Sequence, residues 1–142
     1  MRYIVVDHEP ITVDDVRRAF AVEEEDYVVD GEDNEAGVAI DGRMLAHVTI
    51  NVPGDGLFDD ERAELLESAA ESAGPGKAKV LETLANARTI LAVQVLLGAG
   101  DSDETLDALD PLWSWLIDNR RGLLQADGEG YYDENGLILE LD

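Results

Sequence analysis

Histidine is the side chain best suited to acid–base chemistry near neutral pH, and this chain of 142 residues has two of them. His8 lies at the end of a short apolar run, whereas His47 alternates with Arg43 and Asn51 on the polar side of a predicted strand. An imidazole, a guanidinium and an amide on one face could bind a ligand, and with a neighbouring acid they could form a hydrolytic pocket. The same alternation is also typical of a solvent-exposed sheet face.

Two acidic segments could supply oxygen ligands to a hard cation, residues 30–35 and residues 127–136. Neither has the spacing of an EF-hand loop, because Glu35 and Tyr132 occupy the sixth position, where that loop has glycine. Since 33 of the residues are Asp or Glu, clusters of this kind also arise by chance. We expect no cofactor, and the sequence leaves the metal ligands open.

Nucleophilic and phosphate-binding chemistry find little support. The absence of cysteine excludes thiol nucleophiles, disulfides and thiolate zinc sites. The sequence has no Gly-x-Ser-x-Gly motif, and its glycine-rich segments 53–56 and 74–77 lack the spacing of a phosphate-binding loop. These two segments therefore predict turns that begin or end helices.

Three aromatic residues are candidates for a binding or dimer surface. Trp115 lies off the apolar stripe of the last predicted helix, and Tyr131 and Tyr132 follow in the C-terminal segment. The alternative is that Trp115 packs beneath the terminal strands.

The charge of the chain restricts its partners. Ten Lys and Arg residues against 33 Asp and Glu residues give a net charge of −23. This disfavours direct binding to nucleic acid or to an anionic membrane, although mimicry of a nucleic acid stays open. Two interpretations compete: the acids adapt the surface to molar salt, or they attract a basic protein. The N-terminal residues have no signal-peptide pattern and no segment has 18 consecutive apolar residues, so we expect a cytoplasmic protein.

Apolar periodicity and turn residues predict alternating short strands and helices. Thr12 begins the first helix with Asp14 and Asp15 in its first turn, and Asp41-Gly42 forms a type I′ hairpin turn. Pro111 either kinks the last helix or starts a second one, and Asn135-Gly136 forms the last turn. The predicted strands are 3–6, 27–29, 37–40, 43–52, 88–97, 123–126, 131–132 and 137–141, and the predicted helices start at Thr12, at Asp59 or Asp60, at 77 and near 102.

This order predicts one globular domain over residues 1–142 of the α+β class. The specific arrangement we expect is a two-layer sandwich, with a ferredoxin-like mixed sheet, helices packed on one face, and extra elements.

The segments 46–53, 80–93 and 102–121 carry a resemblance to a known family. The first reads AHVTINVP, the second is a helix that enters an apolar strand, and the third is a helix. Over residues 44–121 this pattern resembles an uncharacterised family of small bacterial α+β proteins, from which it departs at 54–57. The resemblance implies a fold and no activity.

These observations favour a non-enzymatic cytoplasmic interaction or regulatory domain, a homodimer whose acidic surface attracts a basic protein. Two alternatives are a metal-assisted or acid–base hydrolase that uses the acidic loops and His47, and an acidic nucleic-acid mimic or immunity-type inhibitor. The hydrolase requires those side chains to converge on one concave site, and the mimic requires acids aligned on one face.

Overall fold

A computed structural model describes residues 1–21, 26–54, 56–96, 102–126 and 129–140, with only the backbone described at 102–104. The chain folds as an α+β protein. Its strands are β1 (Arg2–Val5), β2 (Tyr27–Glu32), β3 (Glu35–Ile40), β4 (Arg43–Asn51), β5 (Thr89–Val95), β6 (Gly122–Ala126), β7 (Gly130–Asp133) and β8 (Gly136–Glu140). Its helices are α1 (Val13–Ala21), α2 (Leu57–Glu71), α3 (Lys77–Ala85) and α4 (Ser102–Asn119).

The strands form one antiparallel sheet in the order β2-β3-β4-β5-β1-β6-β7-β8. The run 88–97 has apolar residues at both parities, which predicts a central strand covered on both faces, or by a helix layer and an interface, and β5 lies between β4 and β1. Ile90 faces one side of the sheet, whereas Leu91 and Val93 face the other. The central position is confirmed, and so is cover on both faces at Ile90 and Leu91, whereas Gln94 is exposed and residue 97 lies outside the described residues.

Helices cover both faces of the sheet. Tyr3 and Val5 pack in a core with α1 and α4, while Ile4 between them packs in a second core with α2 and α3. Because neighbouring residues of a strand point to opposite faces, the two helix pairs lie on opposite sides. The ferredoxin-like two-layer sandwich, with helices on one face, is therefore not confirmed. Alternation within a strand shows which residues share a face, but it does not show how many helices cover each face.

A β-bulge in β4 changes the predicted alternation. Val38 pairs with Ala46 and the next residue, Ala39, pairs with Met44, so Leu45 is an extra residue in β4. Leu45 and Ala46 are both buried in the core, whereas Met44 is 50% exposed. Regular alternation over 43–52 would put Met44 and Ala46 on one face, and the bulge moves Met44 to the opposite one.

The helix starts agree with the sequence in one case and differ in another. The Asp15 amide donates to Thr12 Oγ1 (3.2 Å) and the Thr12 amide donates to Asp15 Oδ2 (3.0 Å), so the predicted Thr12 start is a reciprocal capping box. By contrast, α2 begins at Leu57, with Gly56 as its N-cap, so the prediction of Asp59 or Asp60 as the cap is wrong. These two acids lie in the first turn, where they complement the helix dipole.

Pro111 lies inside one helix, α4, and no second helix starts there. Proline has no N–H, so residue 111 cannot donate the usual helical hydrogen bond to the carbonyl of Asp107.

Two-residue turns connect the paired strands of three hairpins. Asp41 and Gly42 both have positive φ (51° and 80°), as a type I′ turn requires. Asp33-Asn34 forms another two-residue turn between β2 and β3, with Glu32 paired to Glu35. The last turn lies at residues 134–135, one residue earlier than predicted, because Asp133 pairs with Gly136.

No helix in the described part of the chain is long and apolar enough to span a membrane.

Candidate functional site

The largest cavity described is a groove of about 990 Å³ between α4, α1 and the β3–β4 turn. Four carboxylates and one guanidinium line it, together with the side chain of Trp115. We call it the acidic groove and define it by Asp41, Arg43, Asp107, Asp110, Trp115 and Asp118.

Tyr27 links α1 and α4, two of the elements that line the groove. Its ring stacks on Phe20 of α1, with 4.6 Å between the ring centroids, and its hydroxyl donates to the carbonyl of Ala108 over 2.8 Å. A residue at the start of β2 therefore binds both α1 and α4. Two helices and a strand are thus joined beside the groove.

The spacing of three acids along α4 puts them on one side of the helix. Asp107, Asp110 and Asp118 are separated by three and eight residues, so they lie within one stripe at 100° per residue. All three side chains are exposed at the groove. Arg43, on the opposite wall, is the single cation that the described part of the chain contributes to the lining.

The charged form of Asp110 is disfavoured at its position in the groove. Burial raises the pKa of its carboxyl above the ordinary value, and the negative charge of Asp107 raises it further. A cation bound beside Asp110 would stabilise the charged carboxylate. The acidic groove thus has the charge and an indole suited to a lysine, an arginine or another organic cation.

A smaller depression of about 450 Å³ adjoins the groove and shares Trp115 and Asn119 with it. His8 and Glu9 line this depression together with Arg120. Arg120 does not offer a free charge there, because it pairs with Asp7 and Asp15. The depression extends the groove past the indole towards further carboxylates.

The structure divides the six predicted binding residues among separate places. Arg43 and Trp115 line the acidic groove together. His47 lies on the opposite face of the sheet, and none of the four cavities described includes it. Asn51 is 4% exposed and donates to Glu61 Oε2 of α2 over 3.3 Å. His47 and Asn51 therefore do not share the pocket that we considered.

The two C-terminal tyrosines also separate. Tyr131 is fully buried in the core beneath α2 and α3, so it offers no binding surface. Tyr132 points to the other side, lines a cavity with Leu106 and Trp113, and donates from its hydroxyl to Glu129 Oε1. Neighbouring residues of a regular strand point to opposite faces, and this doublet does so.

Sequence reasoning missed the acids of the groove. Asp107, Asp110 and Asp118 alternate with the apolar stripe of α4, and their spacing is visible in the sequence. With acids in almost every segment, this stripe does not stand out until Asp41 is brought opposite it by the fold.

No protein-family model matches this chain, and no curated protein or solved structure is significantly similar to it. The resemblance over residues 44–121 stays a prediction.

The acidic segments considered for a cation have different outcomes. Residues 30–35 form a β-hairpin, with Asp30 and Glu32 in β2 and Glu35 in β3. Residues 127 and 128 lie outside the described residues. Within the described ranges, no group of three or more His, Asp or Glu side chains could hold a metal ion.

Proposed function

We propose that the protein is a non-enzymatic interaction domain of the cytoplasm whose acidic groove binds a basic segment of a partner protein. The observation that carries the proposal is the groove lining, in which, among the described residues, Asp41, Asp107, Asp110 and Asp118 face a single cation, Arg43.

The shape of the groove supports a peptide segment as the ligand. From Asp107 to Asp118 the helix rises roughly 16 Å, at about 1.5 Å per residue. An extended peptide rises about 3.3 Å per residue, so five residues would span the three carboxylates of α4. Lysine or arginine side chains at alternate positions of such a segment could each contact one carboxylate.

Trp115 supplies a contact that charge alone cannot. Its half-buried indole lies beside Asp118 and at the junction with the adjoining depression. A guanidinium over an indole face gains roughly 0.5–1 kcal/mol at an exposed site. We therefore expect the groove to prefer arginine to lysine at that position.

A titration with two synthetic peptides tests the proposal. One peptide carries arginine at alternate positions and the other carries glutamine there. Trp115 and Trp113 are the only two tryptophans, and Trp113 is 6% exposed, so a change in fluorescence on binding would come mainly from Trp115. We expect the arginine peptide alone to bind, and the Trp115→Phe variant to lose the fluorescence change.

Charge-neutral variants separate the groove from the general acidity of the surface. Asp110→Asn and Asp118→Asn remove one negative charge each inside the groove. Glu64→Gln removes one from an exposed position of α2, and serves as the matched control. We expect the groove variants to weaken binding about tenfold, which corresponds to roughly 1.4 kcal/mol, and the control to leave it nearly unchanged.

Equal weakening by the α2 control would contradict the proposal. Binding would then belong to the acidic surface as a whole, as it would in a nucleic-acid mimic. Raising the salt concentration gives a second check. Salt screens the long-range attraction between charges but leaves the contact with the indole, so we expect the arginine peptide to keep part of its affinity for the groove at high salt.

A further inference from the structure

A small cavity of about 260 Å³ lies beside the acidic groove, between α4 and the strands β6 and β7. We call it the apolar cavity and define it by Leu106, Asp110, Trp113, Leu124, Glu129 and Tyr132. Asp110 also lines the acidic groove, so the two cavities meet at one carboxylate.

The helical spacing of α4 explains why two different surfaces share Asp110. At 100° per residue, Asp110 lies roughly 40° from Leu106 and roughly 60° from Asp107 around the helix axis. Leu106 lines the apolar cavity, and Asp107 lines the acidic groove. The acidic stripe of α4 therefore borders an apolar stripe, and a segment that contacts Asp110 lies next to both.

Most of the surface of this cavity is apolar. Leu124, Tyr132 and Leu137 are paired in register across β6, β7 and β8, so they share one face of the sheet. Leu106 is 38% exposed and Leu137 is 50% exposed, two of the five large apolar side chains that are exposed in the described part of the chain. Contact with a partner at this place would remove apolar surface from water.

The volume of the cavity suits a single side chain. An apolar cavity of about 150 Å³ can hold one benzene molecule. Pockets that bind whole small-molecule ligands are larger, at about 300–1,000 Å³. The apolar cavity lies between these values, so it fits the side chain of a leucine or a phenylalanine better than a complete ligand.

The charges at the cavity indicate which molecule carries that side chain. Asp110 and Glu129 are exposed carboxylates in its lining, and Glu129 Oε1 accepts a hydrogen bond from the Tyr132 hydroxyl over 3.3 Å. These carboxylates attract an apolar residue that has lysine or arginine neighbours and repel one that has acidic neighbours. A basic segment in the acidic groove meets this requirement, because it reaches Asp110.

We propose that the apolar cavity binds one large apolar side chain of the same basic segment that occupies the acidic groove. This inference rests on the proposed function of the groove and adds sequence specificity to it. Charge alone accepts many basic segments, whereas a required apolar neighbour selects among them. The apolar residue lies at the end of the segment that contacts Asp110, away from the arginine at Trp115.

Three synthetic peptides test this proposal with the full chain. All carry arginine at alternate positions over five residues. One has leucine next to the first arginine, one has leucine next to the last, and the third has serine at both places. Isothermal titration calorimetry measures their dissociation constants. Since the cavity adjoins one end of the groove, we expect one leucine peptide alone to bind about tenfold more tightly than the serine peptide.

Trp113 reports on the cavity separately from the groove. The chain has two tryptophans, so Trp113 is the single one in the Trp115→Phe variant. In this variant we expect the tighter leucine peptide to change the fluorescence of Trp113 and the serine peptide to leave it unchanged.

Leu106→Ser removes part of the apolar lining and keeps every carboxylate. We expect the leucine and serine peptides to bind this variant alike, with loss of the tenfold difference. Leu57→Ser is the matched control, because Leu57 is 63% exposed at the start of α2, on the other side of the sheet. It should keep the tenfold difference. Thermal melts establish that each variant is folded.

The two proposals can fail separately. Binding of all three peptides with equal affinity would overturn the role of the apolar cavity and leave the groove in place, whereas no binding of any peptide would overturn both. An equal gain from leucine at either end, or a gain that Leu57→Ser also removes, would show unspecific apolar contact and overturn the inference. A Trp113 signal that changes with protein concentration in the absence of peptide would assign the cavity to a second copy instead.

Discussion

The guanidinium of Arg120, just after α4, donates to the carboxylate of Asp15 in the first turn of α1 over 3.3 Å, and both side chains are 11% exposed. The same guanidinium donates to Asp7 Oδ2 over 3.2 Å and to the carbonyl of Glu9. One cation thus joins the end of α4, the start of α1 and the segment that follows β1. These contacts fix α4 relative to α1, on which the acidic groove depends.

Replacing Arg120 with methionine should lower the free energy of unfolding by about 3 kcal/mol, because it removes the buried cation from Asp7 and leaves Asp15 paired with the exposed Arg18 alone. Urea denaturation in constant KCl measures the effect. Arg18→Met is the control: Arg18 pairs with the same Asp15 over 2.8 Å, but its side chain is 68% exposed, so the expected cost is about 0–1 kcal/mol. Equal costs for the two variants would show that burial of the pair does not matter.

Local features of this fold were predictable, and long-range ones were not. The Thr12 capping box, the Asp41-Gly42 turn and the central strand β5 follow from a few neighbouring residues. The extra residue Leu45 has no local signal, because either Leu45 or Met44 can occupy a buried position.

The candidate site was predicted only in part for the same reason. Arg43 and Trp115 were chosen for their chemistry, yet their proximity depends on the packing of α4 near the β3–β4 turn. Periodicity does not specify which strand a helix packs on. Among so many acids, the groove carboxylates could be recognised only from that packing.

Neutralising Asp110 and neutralising Asp133 should change the melting temperature at pH 7 in opposite directions. Burial and the charge of Asp107 raise the pKa of Asp110, so the folded state binds its proton more tightly than the unfolded state does. The stability that this group contributes is present at low pH and is lost as the pH rises through the raised pKa. Asp110→Asn should therefore keep or raise the melting temperature at pH 7, and the difference should vanish below about pH 4.

Asp133 is the comparison for Asp110. A hydrogen bond from Lys79 (2.9 Å) lowers the pKa of its carboxyl, so its contribution is present above the unfolded pKa and is lost as the pH falls through the lowered value. Asp133→Asn should lower the melting temperature at pH 7 and converge with the parent in acid. Melts of both variants across pH check the two signs, and a shift of the same sign in both would refute the assignment.

The two glycines around Pro75 should differ sharply in their tolerance of a methyl group. A Cβ on Gly76 would run into the carbonyl of Ile138, which is backbone of β8, whereas a Cβ on Gly74 would meet only the tip of Leu139 at 3.2 Å. We expect Gly76→Ala to cost about 1–3 kcal/mol of unfolding free energy and Gly74→Ala to cost less. Denaturant titrations compare them. The close approach of β8 therefore accounts for glycine at position 76. No phosphate-binding role is needed to explain it.

Tyr131→Phe should leave the protein as stable as the parent or slightly more stable. The Tyr131 hydroxyl is buried without a hydrogen-bond partner among the described residues, and burial raises its pKa to about 12. Removing a buried polar group that has no partner removes its desolvation cost, roughly 1 kcal/mol or more. A fall in melting temperature would show that the hydroxyl has a partner, such as a buried water. Tyr3→Phe is the control. The Tyr3 hydroxyl donates to the Arg120 carbonyl over 2.9 Å, so its removal should lower the melting temperature.

The net charge of −23 predicts a strong dependence of stability on salt. Carboxylates spread over the surface repel one another in dilute buffer, and screening at molar salt reduces that repulsion. The melting temperature should keep rising with KCl into the molar range, if the acids adapt the surface to salt. Millimolar CaCl₂ or MgCl₂ at matched ionic strength is the control for a specific cation site, which would add about 2.7 kcal/mol at 100-fold excess over its dissociation constant. A saturating shift with the divalent ion alone would favour the metal-dependent alternative, and a melting temperature that is independent of KCl would argue against salt adaptation.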